Sequence, residues 1–185
     1  MINQTLLEYN RVISACKTIF IKKTVDYGTA WRILRLPSIT DQIFIKAQRI
    51  RSIQEKGVQK VDEDITSEFV GIINYCVIAL MQTKLLQNPN LDLPAAEVDH
   101  MYDQEIQVNI QLLENKNHDY GEAWRDMRIS SITDIILMKL YRTKQIEDNQ
   151  GQTLISEGVE ANYRDMINYA VFVLIKLNFG LHETH

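Results

Sequence analysis

Three carboxylates near the C-terminal end of the chain have the spacing of a metal site. Glu157, Glu160 and Asp165 lie in a segment that is predicted to be helical. At about 100° per residue, Glu157 and Asp165 fall within about 80° of each other, and Glu160 lies about 60° to the other side. Clustered carboxylates repel one another unless a cation neutralises them, and hard oxygen ligands suit Mg²⁺. We therefore predict that these residues hold Mg²⁺ and, in a catalytic protein, orient an attacking water. The alternative is a solvated helix start, where acids meet the helix dipole favourably.

Two basic residues lie one helical turn apart on the preceding segment. Lys139 and Arg142 are separated by three positions, which places them on one helix face. Such a pair suits phosphate oxygens if it faces a ligand, and it forms salt bridges if it faces carboxylates. The same pair recurs earlier in the chain as Lys46 and Arg49, so all four are candidate ligand-binding residues.

Aromatic and polar residues follow at the connection formed by residues 116–121. Tyr120 or Trp124 can stack on a nucleobase, and Asp119 can accept a hydrogen bond from the polar edge of that base. Trp124 can equally fill a hydrophobic core. Asn168 stands alone in an apolar run, so its amide must find a partner in the protein or in a ligand.

An internal repeat explains why the motifs recur. When the chain is shifted by 93 positions, residues 23–50 match residues 116–143 at 15 of 28 positions, and both tryptophans coincide. After a one-residue insertion, residues 74–75 match residues 168–169. The chain is therefore a tandem duplication of a unit of about 90 residues. The predicted boundaries are unit one at 1–88, a linker at 89–94 and unit two at 95–185.

Each unit is predicted to contain three helices. Apolar residues at helical spacing predict a first helix. A capping-box pattern, Ser-Ile-Thr-Asp, predicts that the second helix starts at Ser38 and Ser131, with Asp41 and Asp134 as capping acids. A nearly all-apolar segment predicts the third helix. Two such units can pack around a pseudo-twofold axis as one all-α, bundle-like body. The predicted bounds of the first and third helices are 3–25 and 62–86 in unit one, and 95–117 and 155–179 in unit two.

Composition limits the functional classes. The 185 residues are 45% hydrophobic and carry a formal charge of -4, which weighs against a general nucleic-acid binder. The longest apolar run, residues 69–81, is shorter than the roughly 18 residues of a membrane span, and no signal peptide is evident. Cys16 and Cys76 lie in apolar stretches and are expected to be buried thiols in a reducing compartment. We expect a cytoplasmic protein without a membrane partner.

These motifs resemble the nucleotide modification associated domain 1 family. The family pattern is Lys-Asn-x-Asp-Tyr-Gly followed by Trp, then a Lys-x-x-Arg helix, then an acidic helix that ends in Asp-x-x-Asn-Tyr-Ala. The resemblance implies a helical protein that acts in nucleotide metabolism or base modification, and it adds Lys116 to the candidate binding residues. The matching positions are Lys116, Asp119, Tyr120, Gly121, Lys139, Arg142, Glu157, Glu160, Asp165, Asn168 and Tyr169.

The acid-lined helices are also similar, more weakly, to the MazG-like nucleoside triphosphate pyrophosphatases. That resemblance implies Mg²⁺-dependent cleavage of a triphosphate to a monophosphate and pyrophosphate. The chain departs from it, because Lys139 and Arg142 stand where those enzymes carry paired glutamates. Unit one has Thr66 and Gly71 where unit two has Glu160 and Asp165. It is therefore expected to be degenerate, and to contribute the walls of the site and Lys46 or Arg49 rather than a metal site.

The leading hypothesis is that a nucleotide, or a related phosphorylated heterocycle such as a pterin triphosphate, binds between the units. Lys139 and Arg142 would neutralise its phosphates, and Asp119 and Tyr120 would hold its base. The alternative is a non-catalytic helical scaffold in which the acidic and basic faces neutralise each other. A homodimer of the fused pair is compatible with either hypothesis.

Overall fold

The chain folds into helices joined by short turns. A computed structural model describes the backbone of residues 2–57, 65–154 and 157–182, and the side chains of these residues except 2, 3 and 117–120. No described residue lies in a strand, which confirms the prediction of an all-α protein with three helices per unit. The α-helices are α1 (Ile2–Tyr27), α2 (Leu36–Lys56), α3 (Ile65–Lys84), α4 (Ala95–Tyr120), α5 (Ile129–Asp148) and α6 (Val159–Lys176).

The units pack through one shared hydrophobic core. Helices α2, α3, α6 and α5 form a ring of four in which each helix contacts the next, and α1 and α4 lie across α3 and α6. The first helix of each unit packs on the third helix of the other unit as well as on that of its own. We refer to the two sequence units as repeat one (α1–α3) and repeat two (α4–α6).

Apolar periodicity explains the positions of α1 and α3. In α1 the residues Val12, Cys16 and Phe20 recur every four positions and all are buried. Helix α3 is apolar nearly all round because it is the central element, as predicted. Among the described residues α3 is the one helix long and apolar enough to cross a membrane, and 72% of its most apolar window is buried, which is the pattern of a core helix in a soluble protein.

The predicted starts of the second helices are wrong by two residues. Helices α2 and α5 begin after Arg35 and Arg128, and no side chain caps either start. The sequence pattern missed two 3₁₀ turns, at Ala30–Ile33 and Ala123–Asp126, which bring the chain to these starts. The serines therefore lie inside the first turn, where the capping box cannot form.

The two predicted capping acids make contacts across the repeats. Asp41 forms an ion pair with Lys144 at 3.2 Å. The repeat-related residues, Asp134 and Arg51, lie 3.8 Å apart. These reciprocal pairs join α2 to α5 and follow the pseudo-twofold relation between the repeats.

Candidate functional site

Four of the predicted site residues surround one open cleft in repeat two. Lys139 and Arg142 project from α5, Asp165 projects from α6, and Glu157 precedes α6. The cleft encloses about 1,130 Å³, and its lining is divided between polar and apolar groups. All described lining residues belong to repeat two, so the cleft does not lie between the repeats as the sequence hypothesis expected.

Asp165 joins two lysines at the wall of the cleft. Its Oδ1 accepts a hydrogen bond from Nζ of Lys116 and its Oδ2 accepts one from Nζ of Lys139, each at 2.8 Å. Burial alone would raise the pKa of Asp165, but these two cations outweigh burial and lower it. Asp165 is therefore a carboxylate that fixes two cations.

Arg142, Asp148 and Glu157 are exposed charged residues of the cleft. Arg142 forms no ion pair with any residue the structure describes. Burial would lower the pKa of Lys116, but Asp165 and, to a lesser extent, the nearby charge of Glu157 raise it. The cleft thus offers the guanidinium of Arg142 to an anion. Beside it lies Lys139, whose ammonium group is already held by Asp165.

Glu160 lies outside the cleft, so the predicted three-acid metal set does not assemble. Its carboxylate accepts a hydrogen bond of 2.8 Å from Arg164, which in turn donates to the buried Glu105 at 2.7 Å. Across the described residues no group of three His, Cys, Asp or Glu side chains has the geometry to hold a metal ion. Both oxygens of Asp165 are bound to lysines. The described side chains therefore do not form a site for a protein-held Mg²⁺, and metal-dependent hydrolysis stays a prediction.

Two further candidates lie in the core. Asn168 is 6% exposed, and its Oδ1 accepts hydrogen bonds from Tyr9 at 2.8 Å and from Asn109 at 3.3 Å. Trp124 is 5% exposed, and its ring stacks on Phe172 with centroids 4.4 Å apart. Both residues hold helices together in this structure and neither lines the cleft.

The predicted base-binding pair falls outside the described side chains. Asp119 and Tyr120 end helix α4, and only their backbone is described. Their role in holding a base stays a prediction.

The repeat-one lysine and arginine do not reach the repeat-two cleft. Nη1 of Arg49 lies 2.6 Å from the nearly buried carboxylate of Glu68, and Nζ of Lys46 lies 3.7 Å from it. Neither residue lines the repeat-two cleft, and the expectation that Lys46 and Arg49 bind a ligand stays a prediction.

Sequence reasoning missed a second cavity, of about 530 Å³, within repeat one. Its walls are mostly apolar and include the rings of Phe20, Trp31 and Tyr75, while Lys23 and Lys46 lie at its edge. The signal was available in the alignment of the repeats, because Gly71 and Ile78 replace Asp165 and Phe172 there. Those smaller side chains leave space beside the tryptophan. The expectation that repeat one is degenerate stays a prediction.

The family model described as nucleotide modification associated domain 1 matches residues 23–83 and 116–177, which together make up more than half of the chain. The chain belongs to this family. One matched segment lies in each repeat, so the nucleotide modification associated domain 1 unit is present twice. No curated protein and no solved structure matches the chain, and no match supports the weaker resemblance to MazG-like enzymes.

Each domain copy contains its own cavity. The matched segments include Lys23 and Lys46 at the edge of the repeat-one cavity, and Lys139 and Asp165 in the repeat-two cleft. The family description associates the domain with nucleotide modification but names no ligand or reaction.

Proposed function

We propose that the repeat-two cleft binds a nucleotide, or a related phosphorylated heterocycle, with its phosphate against Lys139 and Arg142. The observation that carries the proposal is the placement of these two cations one helical turn apart on the wall of a single open cleft. The cleft volume of about 1,130 Å³ is slightly larger than the roughly 300–1,000 Å³ typical of small-molecule sites. It therefore has room for a nucleotide and bridging water.

Asp165 supports phosphate binding by holding the lysine in place. The hydrogen bond of 2.8 Å from Lys139 to Asp165 orients a flexible side chain before a ligand arrives. A side chain that is already ordered loses less conformational entropy on binding. Lysine Nζ carries three N–H donors, so Lys139 can keep its bond to Asp165 and still donate to a phosphate oxygen.

The cleft carboxylates suit the non-phosphate part of such a ligand. Glu157 is exposed on the cleft wall, and a carboxylate accepts hydrogen bonds from sugar hydroxyls and from exocyclic amines. The apolar part of the wall, which includes Met138 and Ile146, can contact the flat face of a base. The family's association with nucleotide modification supports the same ligand class.

The scaffold hypothesis draws on one observation, the closed bridge between Lys139 and Asp165. It gives no role to Arg142, which is exposed in the cleft and forms no ion pair with a described residue. The two hypotheses therefore differ most sharply at this arginine.

Binding can be tested with a panel of nucleoside mono-, di- and triphosphates, with and without Mg²⁺, by thermal shift and titration calorimetry. We expect at least one nucleotide to bind. Arg142→Gln and Lys139→Gln should each weaken that binding about tenfold or more, since a hydrogen bond to a charged group contributes about 1.5–3 kcal/mol. Pyrophosphate release is measured in the same samples as a separate result.

Arg51→Gln is the matched control, because Arg51 is an exposed cation on α2 that pairs with Glu55 and Asp134 outside the cleft. It should leave nucleotide affinity unchanged. If no nucleotide binds, or if Arg142→Gln binds as well as the unaltered protein, the scaffold hypothesis stands instead.

A further inference from the structure

The cavity in repeat one has the composition of a site for an aromatic ring. Phe20, Trp31 and Tyr75 contribute to its walls, and the exposed side chains of Tyr27 and Ile33 lie at its mouth. Its volume of about 530 Å³ is within the range of small-molecule pockets. A ligand that covered the mouth would remove these two apolar side chains from water.

Among the residues that the structure describes, the charged groups that line this apolar space are Lys23 and Lys46. Lys23 is exposed and forms no ion pair with a described residue. Lys46 lies 3.7 Å from Glu68, and its Nζ is 5.6 Å from the centroid of the Tyr75 ring. The pocket is therefore apolar inside and positive at its rim, which matches a flat ring with an anionic group at one end.

In repeat two, larger side chains occupy two positions that border this cavity in repeat one. Asp165, at the position of Gly71, binds the lysines that correspond to Lys23 and Lys46. Phe172, at the position of Ile78, stacks on the second tryptophan. Two substitutions thus distinguish the repeats. In repeat two both lysines bind Asp165 and the tryptophan ring is covered, whereas in repeat one Lys23 forms no ion pair with a described residue, Lys46 lies 3.7 Å from Glu68, and the tryptophan ring faces a cavity.

The position of the Lys46 side chain depends on the absence of a side chain at Gly71. A β-carbon added at Gly71 would lie 2.8 Å from Cε of Lys46, so the lysine chain occupies space that any other residue would fill. The missing side chain lets Lys46 lie across α3 towards the cavity.

We propose that repeat one contains a second binding site, independent of the repeat-two cleft, for a planar aromatic heterocycle that carries a single phosphate. The ring enters the cavity beside Trp31 and the phosphate meets Lys23 and Lys46. Nucleoside 5′-monophosphates are the probes of this chemistry.

The test uses Trp31 as the reporter. The protein has two tryptophans, so Trp124→Phe leaves Trp31 as the single indole fluorophore. We expect saturable quenching of Trp31 fluorescence by at least one ribo- or deoxyribonucleoside 5′-monophosphate. The matching nucleoside should need at least a tenfold higher concentration for half-maximal quenching. Inorganic phosphate alone should not quench.

Two variants in this background copy repeat two into repeat one. Ile78→Phe should cover the tryptophan and Gly71→Asp should neutralise both lysines, so each should reduce affinity at least tenfold. Lys23→Gln changes an exposed residue that the fold does not need, and it should weaken binding by about the same factor even if a core variant fails to fold. Circular dichroism checks the fold of each variant.

Arg142→Gln separates this site from the repeat-two cleft. It should leave quenching of Trp31 unchanged, whether or not the cleft binds nucleotides. The proposal is overturned if no monophosphate quenches Trp31 saturably, if Lys23→Gln and the folded copies of repeat two bind normally, or if Arg142→Gln abolishes the quenching.

Discussion

The hydroxyl of Tyr102 donates a hydrogen bond of 2.8 Å to Oδ1 of Asn74, and this bond joins the first helix of repeat two to the third helix of repeat one. The repeat-related pair makes the reciprocal bond, from Tyr9 to Asn168, also at 2.8 Å. All four side chains are buried. The isolated amides that the sequence showed in apolar runs thus find their partners in the opposite repeat, and they fix how the two copies pack.

The two tyrosines should differ in their contributions to stability. Tyr102→Phe leaves Oδ1 of Asn74 without its donor, and an unsatisfied buried acceptor costs about 1–3 kcal/mol. Tyr9→Phe should cost less, since Oδ1 of Asn168 retains the hydrogen bond from Asn109 at 3.3 Å. Urea denaturation measures the free energy of unfolding of each variant. The exposed Tyr141→Phe is the control, and a larger loss for Tyr9→Phe than for Tyr102→Phe would contradict the argument.

A buried ion pair in repeat two occupies the place of two valines in repeat one. Arg164 donates to the carboxylate of Glu105 at 2.7 Å, and both are almost fully buried. Val70 and Val12 occupy the corresponding positions in repeat one and are buried there. The fold therefore accommodates either an ion pair or two valines at this place.

Breaking that pair should be more damaging than replacing it. Glu105→Val leaves Arg164 buried without its main partner and should cost roughly 3 kcal/mol. The double variant Glu105→Val with Arg164→Val copies repeat one, so its loss should be well below the sum of the two single losses. A double-mutant cycle by chemical denaturation measures this coupling. Additive losses would show that the pair contributes nothing beyond its separate side chains.

The offset repeat was sufficient to predict the fold, because two copies of a three-helix pattern leave few arrangements that bury every apolar face. It did not predict that α1 and α4 pack across the repeats, since helical periodicity identifies a buried face but not the helix that covers it. The same limit explains Glu160. Its position on the helix differs from that of Asp165, and that difference turned it towards Arg164 instead of the cleft.

At the candidate site, the positions of basic and acidic residues along the helices predicted the cleft better than the number of acidic residues did. The pattern placed Glu157 and Asp165 in one sector of a helix, and Lys139 with Arg142 on one face of the preceding helix. The structure places all four around one cleft. It could not show that Asp165 would be bound by two lysines, since that requires Lys116 to approach from α4. A carboxylate with two ammonium partners is a structural and positioning group, and this is what separates the observed site from a metal site.

Asp165 should make stability depend on pH in the acid range. Its pKa is lowered in the folded protein, so the unfolded chain binds the proton more readily. The stabilisation is therefore complete above the ordinary aspartate pKa of about 3.9, and it is lost as pH falls through the lower folded value. Asp165→Asn lacks this contribution, so its deficit in free energy of unfolding should be largest near neutral pH and shrink below about pH 4.

Denaturation in urea at several pH values measures that deficit. Asp126→Asn removes an exposed aspartate outside the cleft and serves as the charge control. A deficit for Asp165→Asn that stays constant with pH, or that grows in acid, would contradict the assignment of Asp165 to the two lysines.

Glu147 should have the opposite effect. Burial raises the pKa of Glu147, and the hydrogen bonds from Thr40 and Tyr163 do not offset it. The folded state therefore binds the proton more tightly, and stability falls as pH rises from the ordinary glutamate pKa of about 4.3 through the raised folded value. Glutamine fits this position, because Gln54 at the equivalent place in repeat one donates to Thr133 at 3.1 Å.

Glu147→Gln should therefore raise the melting temperature near neutral pH, and the gain should diminish as pH falls towards about 4, where the glutamate is itself protonated. The reciprocal change, Gln54→Glu, should lower the melting temperature near neutral pH and approach the unaltered protein in acid, because it places a carboxylate at the half-buried, repeat-related position. Thermal melts at matched ionic strength measure both variants. A loss of stability for Glu147→Gln near neutral pH would mean that its charged carboxylate stabilises the α2–α5 contact, and that burial does not dominate there.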